Sequence, residues 1–197
     1  MRHTILLAFL CMAIVVTSVS ADEPDTTDPG DGDDISWGAY FEPGDISATF
    51  GLGLGGWGYR GTWLNLYPGL ELTLAQVDVV DVIPLSFGVS GRGNITWYRG
   101  YWGESTMIVN AGGFGTIHLG FREFDVPVRE LNNLDVYVGI GMVYDIIRPA
   151  WSGYNRLRLA SYQGVNYFLN DNLAVFAEST YMGRYSHFGT IGILFKN

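Results

Sequence analysis

The chain has 197 residues, of which 48% are hydrophobic and only 16% charged, and its formal net charge is −9; that length suits one domain. Its bases are few and scattered, which excludes a nucleic-acid surface. Its one cysteine, Cys11, lies in an apolar run of residues 5–16, so cleavage after that run leaves a chain without disulfides, thiol catalysis or thiolate metal sites.

Residues 1–21 read as a secretion signal. Arg2 and His3 precede the apolar run, and Val19-Ser20-Ala21 offers small side chains for a peptidase. The run is shorter than the roughly 20 residues of a spanning helix. Residues 22–34, "DEPDTTDPGDGDD", hold seven acids and no base, with two prolines and two glycines, and form an acidic disordered tail. Setting aside those seven acids and Arg2 leaves thirteen of the 20 acids and ten of the 11 bases from residue 35 onward. Nine of those ten bases are arginine and the tenth is Lys196.

From residue 46 the recurring spacing is two, which predicts strands over 46–58, 64–74, 85–97, 105–121, 134–144, 156–168, 173–181 and 186–195. The first holds "GLGGWG", Gly53 to Gly58, a letter-perfect G-x-G-x-x-G. A dinucleotide site needs a helix after that motif, and here Tyr59-Arg60-Gly61 leads into another alternating strand. Phe50, Leu52 and Leu54 share one face of this strand, and Gly51, Gly53 and Gly55 the other, as expected inside a narrow barrel. In "LNLYPGLELTL", Leu64, Leu66, Leu70, Leu72 and Leu74 oppose Asn65, Tyr67, Gly69, Glu71 and Thr73. "LSFGVSGRGNITW" and "LDVYVGIGMVY" alternate in the same way.

The content of the two faces predicts which one points inward. Glu71, Arg92, His118, Arg122, Asp135, Arg158 and Glu178 fall on the polar face, among glycines and small residues, while the apolar faces would join into one belt. Aromatics gather at both sets of strand ends, with Trp57, Trp63, Trp97, Trp102 and Trp151 at one and Phe121, Phe124, Tyr167 and Phe195 at the other. The expected fold is therefore all-β: an eight-stranded antiparallel up-and-down transmembrane β-barrel over residues 46–197. With both termini periplasmic, the tight turn "LNDN", Leu169 to Asn172, falls on the periplasmic side. Residues 35–45, "ISWGAYFEPGD", are expected to be a periplasmic lead-in, with a partial plug or an extra edge strand as alternatives.

"YQGVNYFLNDNLAVFAESTYMG", Tyr162 to Gly183, resembles the penultimate hairpin of the OmpA/OmpX-like small bacterial outer-membrane barrels, with Glu178 matching the acid that closes it. The ending "FGTIGILFKN" is similar to that family's aromatic-terminated last strand, and differs from it by Lys196 and Asn197 after Phe195. About thirty-five C-terminal residues carry this resemblance. It implies an outer-membrane location and the barrel assembly machinery as a partner. The sequence shows no peptidoglycan-binding domain after the barrel, so a tethering role is not implied.

Three inward acids, Glu71, Asp135 and Glu178, balance three inward bases, Arg92, Arg122 and Arg158. The expected lumen pairs are Glu71 with Arg92 and Arg158 with Glu178, since arginine holds a carboxylate with a two-pronged fork. An interior of eight strands has room for little more, so a plugged, ion-paired core is expected. Arg60, Arg99, Arg148 and Arg184 lie in the outer connections among aromatics, where outer-membrane lipids or lipopolysaccharide phosphates are the candidate ligands. Lipid A or phospholipid hydrolysis by a serine, histidine and acid set stays an open alternative that needs a bulge, since Ser186 and His187 are strand neighbours and otherwise face opposite ways. The expectation is a monomeric structural or interaction protein with no cofactor, catalytic residue or metal. The resemblance to OmpW-like barrels allows a narrow channel for small hydrophobic solutes; a soluble periplasmic lipid-binding barrel with the faces reversed is the second alternative.

Overall fold

The computed structural model describes residues 39–54, 63–79, 83–99, 105–122, 129–148, 156–181 and 187–197. Eight strands follow in chain order: β1 (Ile46–Leu54), β2 (Trp63–Val79), β3 (Ile83–Arg99), β4 (Ser105–Gly120), β5 (Leu134–Arg148), β6 (Arg156–Asn170), β7 (Leu173–Tyr181) and β8 (His187–Lys196). A turn of 3₁₀ helix, Arg129–Asn133, precedes β5. Each strand pairs antiparallel with its chain neighbours, and β1 closes on β8, giving a closed up-and-down barrel. Closure removes both sheet edges, so the ladder runs unbroken around the barrel.

β2 and β3 are longer than the alternation predicts, at 17 residues each. Their pairing continues past a bulge between Thr73 and Ala75, where Leu74 is the extra residue. Beyond it Ala75, Val77 and Asp78 are all exposed, and the period of two that marks a half-buried strand is lost. Gly53 sits inward in β1, facing Asn65 and Thr190, while residues 55–58 of the glycine motif lie outside the described residues.

The two faces differ sharply. Outward positions are apolar and open, with Ile191 71% exposed, Leu159 69%, and Leu70 and Ile140 both 62%. Inward positions are mostly polar and closed: Asn65, Asp135 and Asp145 are 0% exposed and Arg92 is 4%. Glycine makes room in this lumen, because several large inward side chains lie over glycines. A β-carbon on Gly139 would meet the Tyr162 ring at 2.3 Å, and one on Gly164 the Tyr137 hydroxyl at 2.5 Å. One on Gly69 would come within 2.7 Å of the Arg92 side chain, and Gly192 and Gly51 make the same room for Phe176. Alternating large and small residues is how a core this narrow reaches close packing.

One mouth of the barrel holds the hairpin turn at Asp171 and Asn172 together with the chain end. Residues 39–45 fold into this mouth instead of adding a strand. Tyr40 and Phe41 pack there with Phe168, Ala174, Phe176 and Leu194. Burial pushes the Tyr40 phenol above its usual range, against the opposing pull of the Arg122 charge.

The glycine packing has a measurable consequence. Gly139→Ala forces a β-carbon into the Tyr162 ring and is expected to cost about 1–3 kcal/mol. Gly113→Ala, which points outward with nothing within 4 Å, is expected to stay within about 0.5 kcal/mol of the parent. Urea unfolding midpoints of the two variants in detergent check both.

Candidate functional site

Five ionisable groups of the lumen form one connected cluster. β2 brings Glu71 inward, β3 Arg92, β4 His118, β5 Asp135 and β7 Glu178, each by the alternation of its strand. Arg92 Nη2 lies 3.6 Å from Glu71 Oε2 and 3.8 Å from Glu178 Oε2, and its Nη1 donates to Thr49 Oγ1 at 2.6 Å. The guanidinium carbon sits 4.7 Å from the centre of the Tyr162 ring. Thr116 donates to Glu71 at 2.6 Å, and Tyr137 and Thr180 donate to Glu178 at 3.0 and 2.8 Å. Asn166 donates to Asp135 at 2.8 Å. Each buried carboxylate thus holds at least one hydroxyl or amide donor besides its charge partner, as burial of an ion demands.

His118 bridges two of these acids. Its Nδ1 lies 2.9 Å from Asp135 Oδ2 and its Nε2 2.7 Å from Glu71 Oε1. An ionised carboxylate offers only lone pairs, so with both acids ionised both ring nitrogens donate and the ring is an imidazolium. The same geometry bears on hydrolysis. With an acid on each nitrogen, His118 has no free nitrogen to take a proton from a hydroxyl nucleophile. Ser186 lies outside the described residues, and of His187 the backbone alone is described. Among the described residues no group of three His, Cys, Asp or Glu side chains is arranged to hold a metal ion.

Of the residues expected to pair in the lumen, Glu71, Arg92, Asp135 and Glu178 are brought into this cluster, and Arg122 and Arg158 are not. Arg122 lies at the mouth, 36% exposed, 3.2 Å from Asp171 of the turn. It follows the last inward position of β4, Gly120, and so has left the lumen. The expected Arg158–Glu178 pair is corrected by register: Glu178 sits opposite Gly164, six residues along β6 from Arg158, about 20 Å of strand. Arg158 instead meets Asp145 of β5, Nε to Oδ2 at 2.6 Å, and Asn110 donates to the other oxygen of that acid at 2.8 Å. Arg92 therefore serves both Glu71 and Glu178.

Sequence reasoning placed His118 on the inward face and did not join it to its acids. Asp145 was missed, although it continues the inward series from Asp135 past Val143. Of the candidate headgroup ligands, Arg60 and Arg184 lie outside the described residues. Arg99 ends β3 and Arg148 ends β5, in the backbone described there.

These contacts set the expected response to substitution. Arg92→Met strips the cation from two buried carboxylates and is expected to cost about 3–5 kcal/mol. A double-mutant cycle between Arg92→Met and Glu178→Gln is expected to be non-additive by about 0.5–3 kcal/mol, while the cycle between Arg158→Met and Glu178→Gln adds. Unfolding free energies of the singles and doubles decide between the two pairings.

No protein-family model and no curated protein matches the chain. A solved structure described as "De novo design of transmembrane beta-barrels" aligns with a TM-score of 0.45 and 17% identity, covering 80% of this chain and 98% of that one.

Proposed function

We propose that this protein is an integral outer-membrane barrel, exported by residues 1–21, whose role is structural or interaction-based and whose lumen is filled rather than open. The observation that carries this reading is the distribution of the two faces on a closed sheet. A belt of Leu, Ile, Val and Phe side chains looks outward from all sides, and a hydrogen-bonded, charged interior looks inward. Water penalises such a belt and a bilayer favours it, while closure leaves no backbone group unpaired at a sheet edge in lipid. A soluble lipid-binding barrel needs an apolar lumen, and Asn65, Arg92, Asn110, Asp135 and Asp145 occupy this one.

The filled section supports a structural role over a channel. Tyr67 and Tyr162 are 0% and 1% exposed, and Arg92 lies against Tyr162. Outer-membrane lipid or lipopolysaccharide around the belt, with Arg60, Arg99, Arg148 and Arg184 toward the phosphates, and the barrel assembly machinery acting on β8 are the partners this reading implies for a monomer.

Membranes from cells making the full chain, washed with high salt and alkaline carbonate, should retain the protein, and its gel migration should change on boiling. Planar bilayers containing it should show no steady conductance. Release by carbonate would overturn the membrane reading; a steady open conductance would overturn the filled lumen alone. Val138→Arg on the outward face of β5 should cost about 2–4 kcal/mol of stability in vesicles if that position is at mid-bilayer.

A further inference from the structure

Residues 39–45 lie outside the sheet: Ala39, Tyr40 and Phe41 are buried against the barrel, and residues 42–44 are exposed. Among the described residues, their backbone bonds to the sheet begin only at Gly44, whose N–H donates to Thr73 O at 2.9 Å, while Asp45 O accepts from Thr73 N–H at 3.0 Å. Upstream, two side chains hold the backbone: Ser86 Oγ donates to Phe41 O at 2.6 Å, and Lys196 Nζ to Tyr40 O at 2.5 Å. Gly44 has φ +99°, a left-handed conformation that glycine adopts without strain, and it turns the chain back into the mouth. There Tyr40 stacks on Phe168 at 3.9 Å and the Phe41 ring lies 4.3 Å from that of His118. Phe41 thus covers the histidine that joins Glu71 to Asp135.

The other end of the chain closes over this segment. Lys196 Nζ lies 2.8 Å from Asp45 Oδ2 as well as on Tyr40 O, so the only lysine of the chain carries both contacts. Its backbone N–H donates to Asn172 O at 2.8 Å, and Asn172 Nδ2 donates back to Lys196 O at 3.0 Å. Asn197 and Ile46 bond reciprocally, through Asn197 N–H to Ile46 O and Ile46 N–H to Asn197 Oδ1. The two residues beyond Phe195 therefore join β1, the β6–β7 turn and residues 39–45 at one point.

We propose that residues 39–45 are a releasable strap that closes this mouth of the lumen over His118, Glu71 and Asp135, with Lys196 as its latch. Departure of residues 39–43 breaks no ladder bond, and water can replace the Ser86 and Lys196 donors on two carbonyls and the Tyr40 hydroxyl on Asn132 O, while Gly44 and Asp45 stay bonded to Thr73 as the hinge. A strand of the barrel has no such exit, because it is paired on both sides along most of its length. Release opens a blind cup walled by Phe168, Ala174, Phe176 and Leu194, with the imidazolium and its acids as floor. Arg92, Tyr67 and Tyr162 still fill the barrel beyond it, so the strap governs access to the cluster from one side and not passage through the lumen.

Thiol labelling of the full chain tests this, in a Cys11→Ser background that removes the one native cysteine. The reporter is Ala174→Cys, 0% exposed beneath the strap, with Leu194→Cys in the same cluster as a second position. A bulky, membrane-impermeant maleimide is applied to folded barrel in detergent, with heat-modifiable migration confirming the fold of every variant. Lys196→Ala and Phe41→Ala are each expected to speed labelling at both reporters about tenfold, as for a local opening made easier. Lys196→Arg should keep labelling slow, and Thr190→Cys, inward at the far end of β8, should be unaffected by all three. Equal rates at residues 174 and 194 with and without Lys196 and Phe41, or equal acceleration at residue 190, would overturn the strap in favour of a fixed plug or general loosening.

Discussion

The closure of β1 on β8 is the constraint on which the rest of the molecule depends. An open sheet of this composition would offer two edges and a wide apolar face; a closed one has no edge and must divide its side chains between inside and outside. With eight strands the inside is narrow, and its contents have to be chosen almost atom by atom. The glycines express that choice: Gly69 admits Arg92, Gly139 admits Tyr162 and Gly164 admits Tyr137. The same residue type that weakens an ordinary strand is here the space in which the lumen's large side chains lie.

Filling the lumen with charge makes the register exact. Arg92 and His118 are held among Glu71, Asp135 and Glu178, with the remaining lone pairs met by Thr116, Tyr137, Asn166 and Thr180. A slip of one residue in β3 would turn Arg92 outward and leave two carboxylates buried without their cation. Such clusters contribute less net stability than their contacts suggest, because each ion has been taken out of water. What they add is a heavy penalty on every alternative pairing of the strands. The Arg122–Asp171 pair at the mouth is different in kind: both partners are solvent-exposed, and it constrains little.

Residues 39–45 and the terminal Lys196–Asn197 show how a barrel mouth is finished. Inward positions near the mouth lose their cross-barrel neighbours, and the polar cluster would face solvent on that side. Two aromatic rings and a lysine supply the missing contacts. Gly44, with its positive φ, and Asp45, held by Lys196, turn the chain so that Tyr40 and Phe41 point inward. Nothing local in "AYFEPGD" states whether such a segment lies along the sheet, leads away from it or fills its mouth. The choice belongs to Ser86, Phe168 and Lys196, which are distant along the chain.

The sequence by itself determined the strands, their number and the content of their two faces, because alternation with a period of two is a property of consecutive residues. It also marked Glu71, Arg92, His118, Asp135 and Glu178 as sharing the polar face, by counting along each strand. Partnership across the lumen could not be read in that way. Whether Arg158 meets Glu178 or Asp145 depends on strand stagger and on which strands adjoin, and the structure gives it Asp145. His118 joined its two acids only when β2, β4 and β5 were brought around one axis. The tertiary structure decided these contacts, and the place of Phe41 over them, because closure and register are relations between strands that no single stretch of sequence contains.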